Sequence, residues 1–147
     1  METDAIVNAA NSRLEHNGGV ARTIVEAGEA TIQADRRIIV ESCGQIAAGD
    51  IAVTKSGNLP CRMIIHAVTP TFDPIHPDVS AQQLRAAITH ILEYANISEQ
   101  IETLTIPVIG VCIFGFPVHA FAREIVGIIM NKCSPPKHLL PVRNQVN

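Results

Sequence analysis

The chain has 147 residues, 47% hydrophobic and 17% charged, which suffices for one domain with a real core and argues against a disordered chain. A net charge of -3 supplies no overall positive field to draw in nucleic acid. No Trp, one Tyr and four Phe exclude a stacking platform for single strands.

The first apolar run, Ala5-Ile6-Val7, stops at polar Asn8 and predicts a buried strand end. Residues 11–19 are polar and end in Asn17-Gly18-Gly19, a loop that needs backbone freedom. A helix is expected from Val20, burying Ile24 and Ala27 and closing at Gly28. A second is expected over residues 30–43, closed by Gly44. Residues 51–54 and 63–68 read as strands around a turn-rich 56–60 segment. Pro70, Pro74 and Pro77 speak against regular structure until Ser80. There Ser80 and Gln83 spell a capping box, with Val79 and Leu84 at staple positions. The helix that follows puts Leu84, Ile88, Ile91, Leu92 and Ala95 on one stripe.

Residues 104–109 read as a further strand, and Pro107 would remove a ladder donor, favouring the strand's end or an edge. After a loop over 110–117, Val118, Phe121, Ile125, Ile128 and Ile129 fall at helical spacing. Residues 134–147 hold three prolines and no periodicity, and predict an irregular tail beyond a domain of residues 1–133. Strands alternating with helices indicate an α/β layer fold with a largely parallel sheet.

The four cysteines (Cys43, Cys61, Cys112, Cys133) form no C-x-x-C pair, and no leader pattern precedes them, which reads as reduced thiols in a nuclear or cytoplasmic protein. The six histidines show no metal-ligand spacing, no cofactor is implied, and no apolar run approaches a membrane span.

Two loops follow strand ends and lead into helices: residues 8–19 and 110–117. In open α/β sheets the crevice beyond the strands' carboxyl ends is where ligands sit, and helix N-termini there favour phosphate. Gly18-Gly19 would let backbone amides approach a phosphate closely. Ile113-Phe114-Gly115-Phe116 could clamp it from the other side with apolar surface for a ribose. Asn8 and Asn11 add amide groups suited to sugar hydroxyls. The residues alone also allow two ordinary turns that happen to contain Gly and Asn. Glu15 is the carboxylate that shares the first loop, a candidate base or a solvated charge, with His16 beside it. His66 inside an apolar strand reads as a core histidine, and Cys112 as a small buried thiol rather than a nucleophile.

Several ordered blocks share one resemblance. Asp4-Ala5-Ile6-Val7-Asn8-Ala9-Ala10-Asn11, then Gly18-Gly19-Val20-Ala21, resembles the first signature of the macrodomain family. Gly49-Asp50-Ile51, Leu59-Pro60-Cys61 and Ile64-Ile65-His66-Ala67-Val68-Thr69-Pro70 resemble its central strands. Ile106-Pro107 and Ile113-Phe114-Gly115-Phe116-Pro117 resemble its second ligand loop. The match runs from Asp4 to about Cys133 and is most similar to macrodomains of the macro-PARP proteins. It implies a three-layer α/β fold, a mixed sheet flanked by helices. It also implies a module for ADP-ribose or mono-ADP-ribosylated proteins. Asn11 would lie on the distal ribose, Gly18, Gly19 and Val20 along the diphosphate, and Ile113, Phe114 and Gly115 would close over it.

The departures are specific. The family's adenine-gripping Gly-Asp-Ile segment would precede this chain's start, and its closing strand and helix find no pattern in residues 134–147, so some N- and C-terminal elements are expected to be lacking. Ser, Ser or Thr, and Gly before the Ile-Phe-Gly are replaced by Gly110, Val111 and Cys112. The Asp-Gly of hydrolytic members is replaced by Ala21-Arg22. The expectation is a weakened ADP-ribose site. The alternatives are a mono-ADP-ribosyl hydrolase with an unorthodox site, and a non-binding fragment that serves as an interaction surface. An uncovered sheet edge would favour self-association.

Overall fold

The computed structural model describes residues 2–15, 19–111, 114–132 and 138–141. Its elements run β1 (Ala5–Ala10), α1 (Gly19–Cys43), β2 (Ile51–Lys55), β3 (Met63–Val68), α2 (Pro77–Ile97), β4 (Thr103–Ile106), α3 (Val118–Lys132) and β5 (His138–Pro141). They form one mixed sheet in the order β2-β3-β1-β4-β5. The strand β1 pairs in parallel with β3 and β4, β4 pairs in parallel with β5, and β2 joins β3 antiparallel.

The apolar run of β3 explains its central place. All six of its residues are buried, which requires cover on both faces. One face turns Ala5, Val7, Met63, Ile65 and Ala67 into the main core, against Leu84, Ile88 and Ile91 of α2 and Phe121 and Ile128 of α3. The other face meets α1. Ile64 packs with Ile24 and Ile32, and Val68 and Ala10 pack with Leu14. The result is three layers: α1, the sheet, then α2 with α3.

At the sheet's amino-terminal side Asp4 ties β1 to β4. Its carboxylate accepts the backbone N–H groups of Glu102 and Thr103 at 3.0 and 2.9 Å and the Thr103 hydroxyl at 3.0 Å. Those N–H bonds, helped by Arg62 at 3.3 Å, hold the carboxyl below the ordinary Asp range against a smaller opposing effect of desolvation.

The elements differ from the sequence reading in four places. The helix expected to close at Gly28 does not stop, and α1 runs unbroken to Cys43. A Cβ on Gly28 would stand 3.0 Å from the Ser56 carbonyl, and one on Gly57 only 2.0 Å from the Gly28 carbonyl. Gly28 therefore marks a close crossing of helix and turn, not a cap. The cap is Gly44, at φ 75, whose N–H reaches Val40 O at 2.9 Å. Second, α2 opens at Pro77, where proline's missing N–H costs nothing, and the expected capping box lies inside the helix. Ser80 is buried and its hydroxyl accepts the Asp73 N–H at 2.9 Å. Third, β1 continues through Asn8 to Ala10, while β4 ends at Ile106 just before Pro107.

Fourth, the stretch expected to be irregular contributes β5, in register from Thr103↔His138 to Ile106↔Pro141. Four residues are too few to show a period, so the strand exists through its pairing with β4. Pro141, lacking a donor, sits at its last position.

Candidate functional site

Because β1, β3 and β4 are parallel, their carboxyl ends open on the same side, and the chain leaves each through a loop. All three loops feed helices, α1 at Gly19, α2 at Pro77 and α3 at Val118; α2 carries Asp78 in its first turn, whereas α1 and α3 carry no acidic residue there. The positive dipole ends of α1 and α3 are thus left without an acidic residue to offset them, which suits an anion.

The first loop is built around Asn11. Its Oδ1 accepts the backbone N–H groups of Arg13 and Glu15 at 3.0 and 2.9 Å. Its Nδ2 donates to the Glu15 carboxylate at 3.2 Å. Leu14 holds this segment down. It sits at φ 56, a region a branched side chain seldom adopts, and is fully buried between Ala10 and Val68. Arg36 of α1 donates to Leu14 O at 3.1 Å, and Ile46 N–H to Ser12 O at 2.8 Å. The loop is anchored from three directions.

The second loop folds back on itself. Phe116 N–H reaches Gly110 O at 2.8 Å and Gly115 N–H reaches Val111 O at 3.1 Å. Gly110 and Gly115 both take positive φ, 82 and 78, and a Cβ on Gly110 would press on the Phe116 ring at 3.2 Å. Val111 is half-buried against the main core, so its side chain packs rather than lines an open wall.

A third wall was not named from the sequence. Phe72, beyond β3, donates its N–H to Phe114 O at 2.7 Å and stacks edge-on against Phe116 with ring centroids 5.3 Å apart. The rule that singled out the other two loops, a parallel strand's carboxyl end, applies equally to β3. The prolines that follow it masked the signal.

Of the residues expected on a ligand, Asn11, Phe114 and Gly115 lie on these loops, Gly19 opens α1 and Val20 follows it. Gly18 and Ile113 lie outside the described residues, as do His16 and Cys112. Asn8 is placed differently: it is 1% exposed inside β1, with its amide at 3.1 Å from His66 Nδ1. Next along, His66 Nε2 lies 2.9 Å from Thr54 Oγ1, which spends its own proton on Lys55 O. His66 is a core histidine in a polar chain across three strands. Two surface hollows of about 530 and 430 Å³ flank Tyr94 along β2, and neither is lined by a residue of the three loops.

An α/β sheet whose parallel strands end on one side, each leading through a loop into a helix, belongs to the class of folds that hold ligands beyond their strand ends. The Macro domain family model matches residues 7–125, and the chain belongs to that family. It is 38% identical over 139 residues to an uncharacterized protein of Sulfurisphaera tokodaii, covering 95% of this chain and 74% of that one. It is 40% identical over 116 residues to mouse protein mono-ADP-ribosyltransferase PARP9, covering 78% of this chain but 13% of that much longer protein. Among solved structures, the Oceanobacillus iheyensis macrodomain with ADP superposes with a TM-score of 0.85 at 27% identity, covering 95% of this chain and 75% of that one. A variant of the same macrodomain with ADPR gives 0.83.

Proposed function

We propose that this domain binds ADP-ribose, free or attached to a protein, through the crevice at the carboxyl ends of β1, β3 and β4. The observation that carries the reading is the opening of α1 at Gly19, directly after the first loop and with no acidic residue in its first turn. The diphosphate would lie there, the distal ribose beside Asn11, and the loop through Phe114 and Gly115 on the other side. The likeness to a macrodomain solved with ADP, and as a variant with ADPR, supports the choice of ligand. Ala21, where the resemblance puts the Asp of hydrolytic members, has no proton to move, so the proposed role is holding the ligand rather than cleaving it.

The proposed site is a weak one. Gly110 and Val111 offer no side-chain hydroxyl where the resemblance puts donors, and Val111 is turned to packing. Each such loss costs on the order of 1–3 kcal/mol, a weakening of about five- to 150-fold. Calorimetry with ADP-ribose tests both statements. Dissociation constants of roughly tens of micromolar or weaker are expected. Low-micromolar binding would refute the weakening, and no heat at millimolar ligand would refute the reading itself.

A further inference from the structure

The first loop holds a carboxylate that this reading leaves without a task. Glu15 is exposed, yet its place is fixed. Its N–H is bound to Asn11 Oδ1, and Leu14 before it is fully buried and tied to Arg36. Its Oε2 lies 3.2 Å from Asn11 Nδ2. Asn11 Oδ1 already accepts two backbone N–H groups, so a sugar hydroxyl can use this amide only as a donor, through Nδ2. An N–H donor and a carboxyl acceptor thus stand side by side at the carboxyl end of β1, on a backbone that does not depend on the Glu15 side chain.

That pair matches neighbouring hydroxyls on one ring, one accepting and the next donating. Carboxylates recognise ribose hydroxyls in this way in other α/β nucleotide sites. We infer that Glu15 is a specificity residue for the distal sugar, its carboxylate and the Asn11 amide together taking a vicinal diol. The inference rests on the ADP-ribose reading and adds to it what distinguishes ADP-ribose from ADP, which lacks the second sugar. It runs against a general electrostatic effect: a carboxylate near a diphosphate repels it, so removing Glu15 for that reason alone would tighten both ligands.

The experiment is calorimetric titration of wild type, Glu15→Ala and Glu15→Gln with ADP-ribose and with ADP, alongside their melting curves. Glu15→Ala is expected to lower the ratio of ADP-ribose to ADP affinity about tenfold, the loss of one charge-assisted hydrogen bond. ADP affinity should stay unchanged or rise. Glu15→Gln, which keeps an acceptor oxygen without the charge, should fall between. An unchanged or increased ratio would overturn the inference, as would parallel loss of both ligands, which would make Glu15 a loop-positioning residue. Wild type that binds ADP as tightly as ADP-ribose would overturn the diol assignment and leave phosphate binding standing. Wild type that binds neither would remove the broader reading and this inference with it.

Discussion

The chain Asn8, His66, Thr54 shows how a side chain can look like a ligand contact in sequence and act as a beam in the fold. Asn8 lies three residues before Asn11 with the same chemistry, but β1 runs on to Ala10, so Asn8 faces into the structure while Asn11 lies beyond the strand's end. Truncating Asn8 removes the donor to His66 Nδ1 in a dry setting, where a buried hydrogen bond is worth on the order of 1–3 kcal/mol. Asn8→Ala should therefore lower stability by about that amount in denaturant unfolding and leave ADP-ribose affinity unchanged. An affinity loss at unchanged stability would put Asn8 back on the ligand. Asn11 could be told from Asn8 only by knowing where the strand stops. That is set by the pairing of Ala10 with Val68 and not by local propensity.

At the scale of elements, the contact between α1 and the β2–β3 turn decides how the first half packs. Gly57, at φ 60, and Gly28 bring two backbones together, leaving no room for a Cβ on either. Gly44 also has positive φ, at 75, but nothing lies within 4 Å of its missing Cβ. The two glycines separate conformational strain from packing. Gly44→Ala should cost about 1–2 kcal/mol, the left-handed penalty alone. Gly57→Ala should cost on the order of 2–4 kcal/mol, because overpacking adds to it. Equal costs in chemical unfolding, at unchanged m-values, would sink the packing explanation.

The same glycines mark the limit of what was legible. Strand β3 could be read as a continuous apolar run and α2 from the helical spacing of its stripe; on α3 that spacing marked Phe121 and Ile128, which are in the core, but also Val118, which is 59% exposed. Whether Gly28 ends a helix or admits a neighbour depends on a residue 29 positions away. The strand β5, with two leucines and a proline, exists through its partner. The two loops proposed for the ligand stand out in the sequence through Gly and Asn at strand ends. The Phe72 wall and the anchoring of Leu14 were not, because both are tertiary contacts.

For the molecule as a whole, the question is what covers its edges and outer helix faces. In the described sheet β2 pairs only with β3, and β5 only with β4. The β2 edge is partly blunted, since Asp35 of α1 accepts the Lys55 N–H at 3.1 Å, but Ile51 and Val53 before it continue the strand. Nearby Ile38 and Ile97 are 60% and 77% exposed, and on α3 Val118, Val126 and Met130 are 59%, 57% and 73% exposed. Ala122 falls between them at the same spacing, so the outer face of α3 carries an apolar stripe. Apolar surface is worth about 25 cal/mol per Å² when removed from water, and net stability is a small difference between large opposing quantities. A second copy is the partner always at hand. This 147-residue chain is therefore expected to self-associate with rising concentration, and to melt at a concentration-dependent temperature. Val126→Lys, on a side chain the core does not use, should reduce association without lowering the melting temperature of the dilute protein. Light scattering and thermal denaturation across a hundredfold or so range of concentration decide the matter. A chain that stays monomeric throughout, with one sharp and concentration-independent transition, would show that neither the sheet edge nor the stripe on α3 is a contact surface.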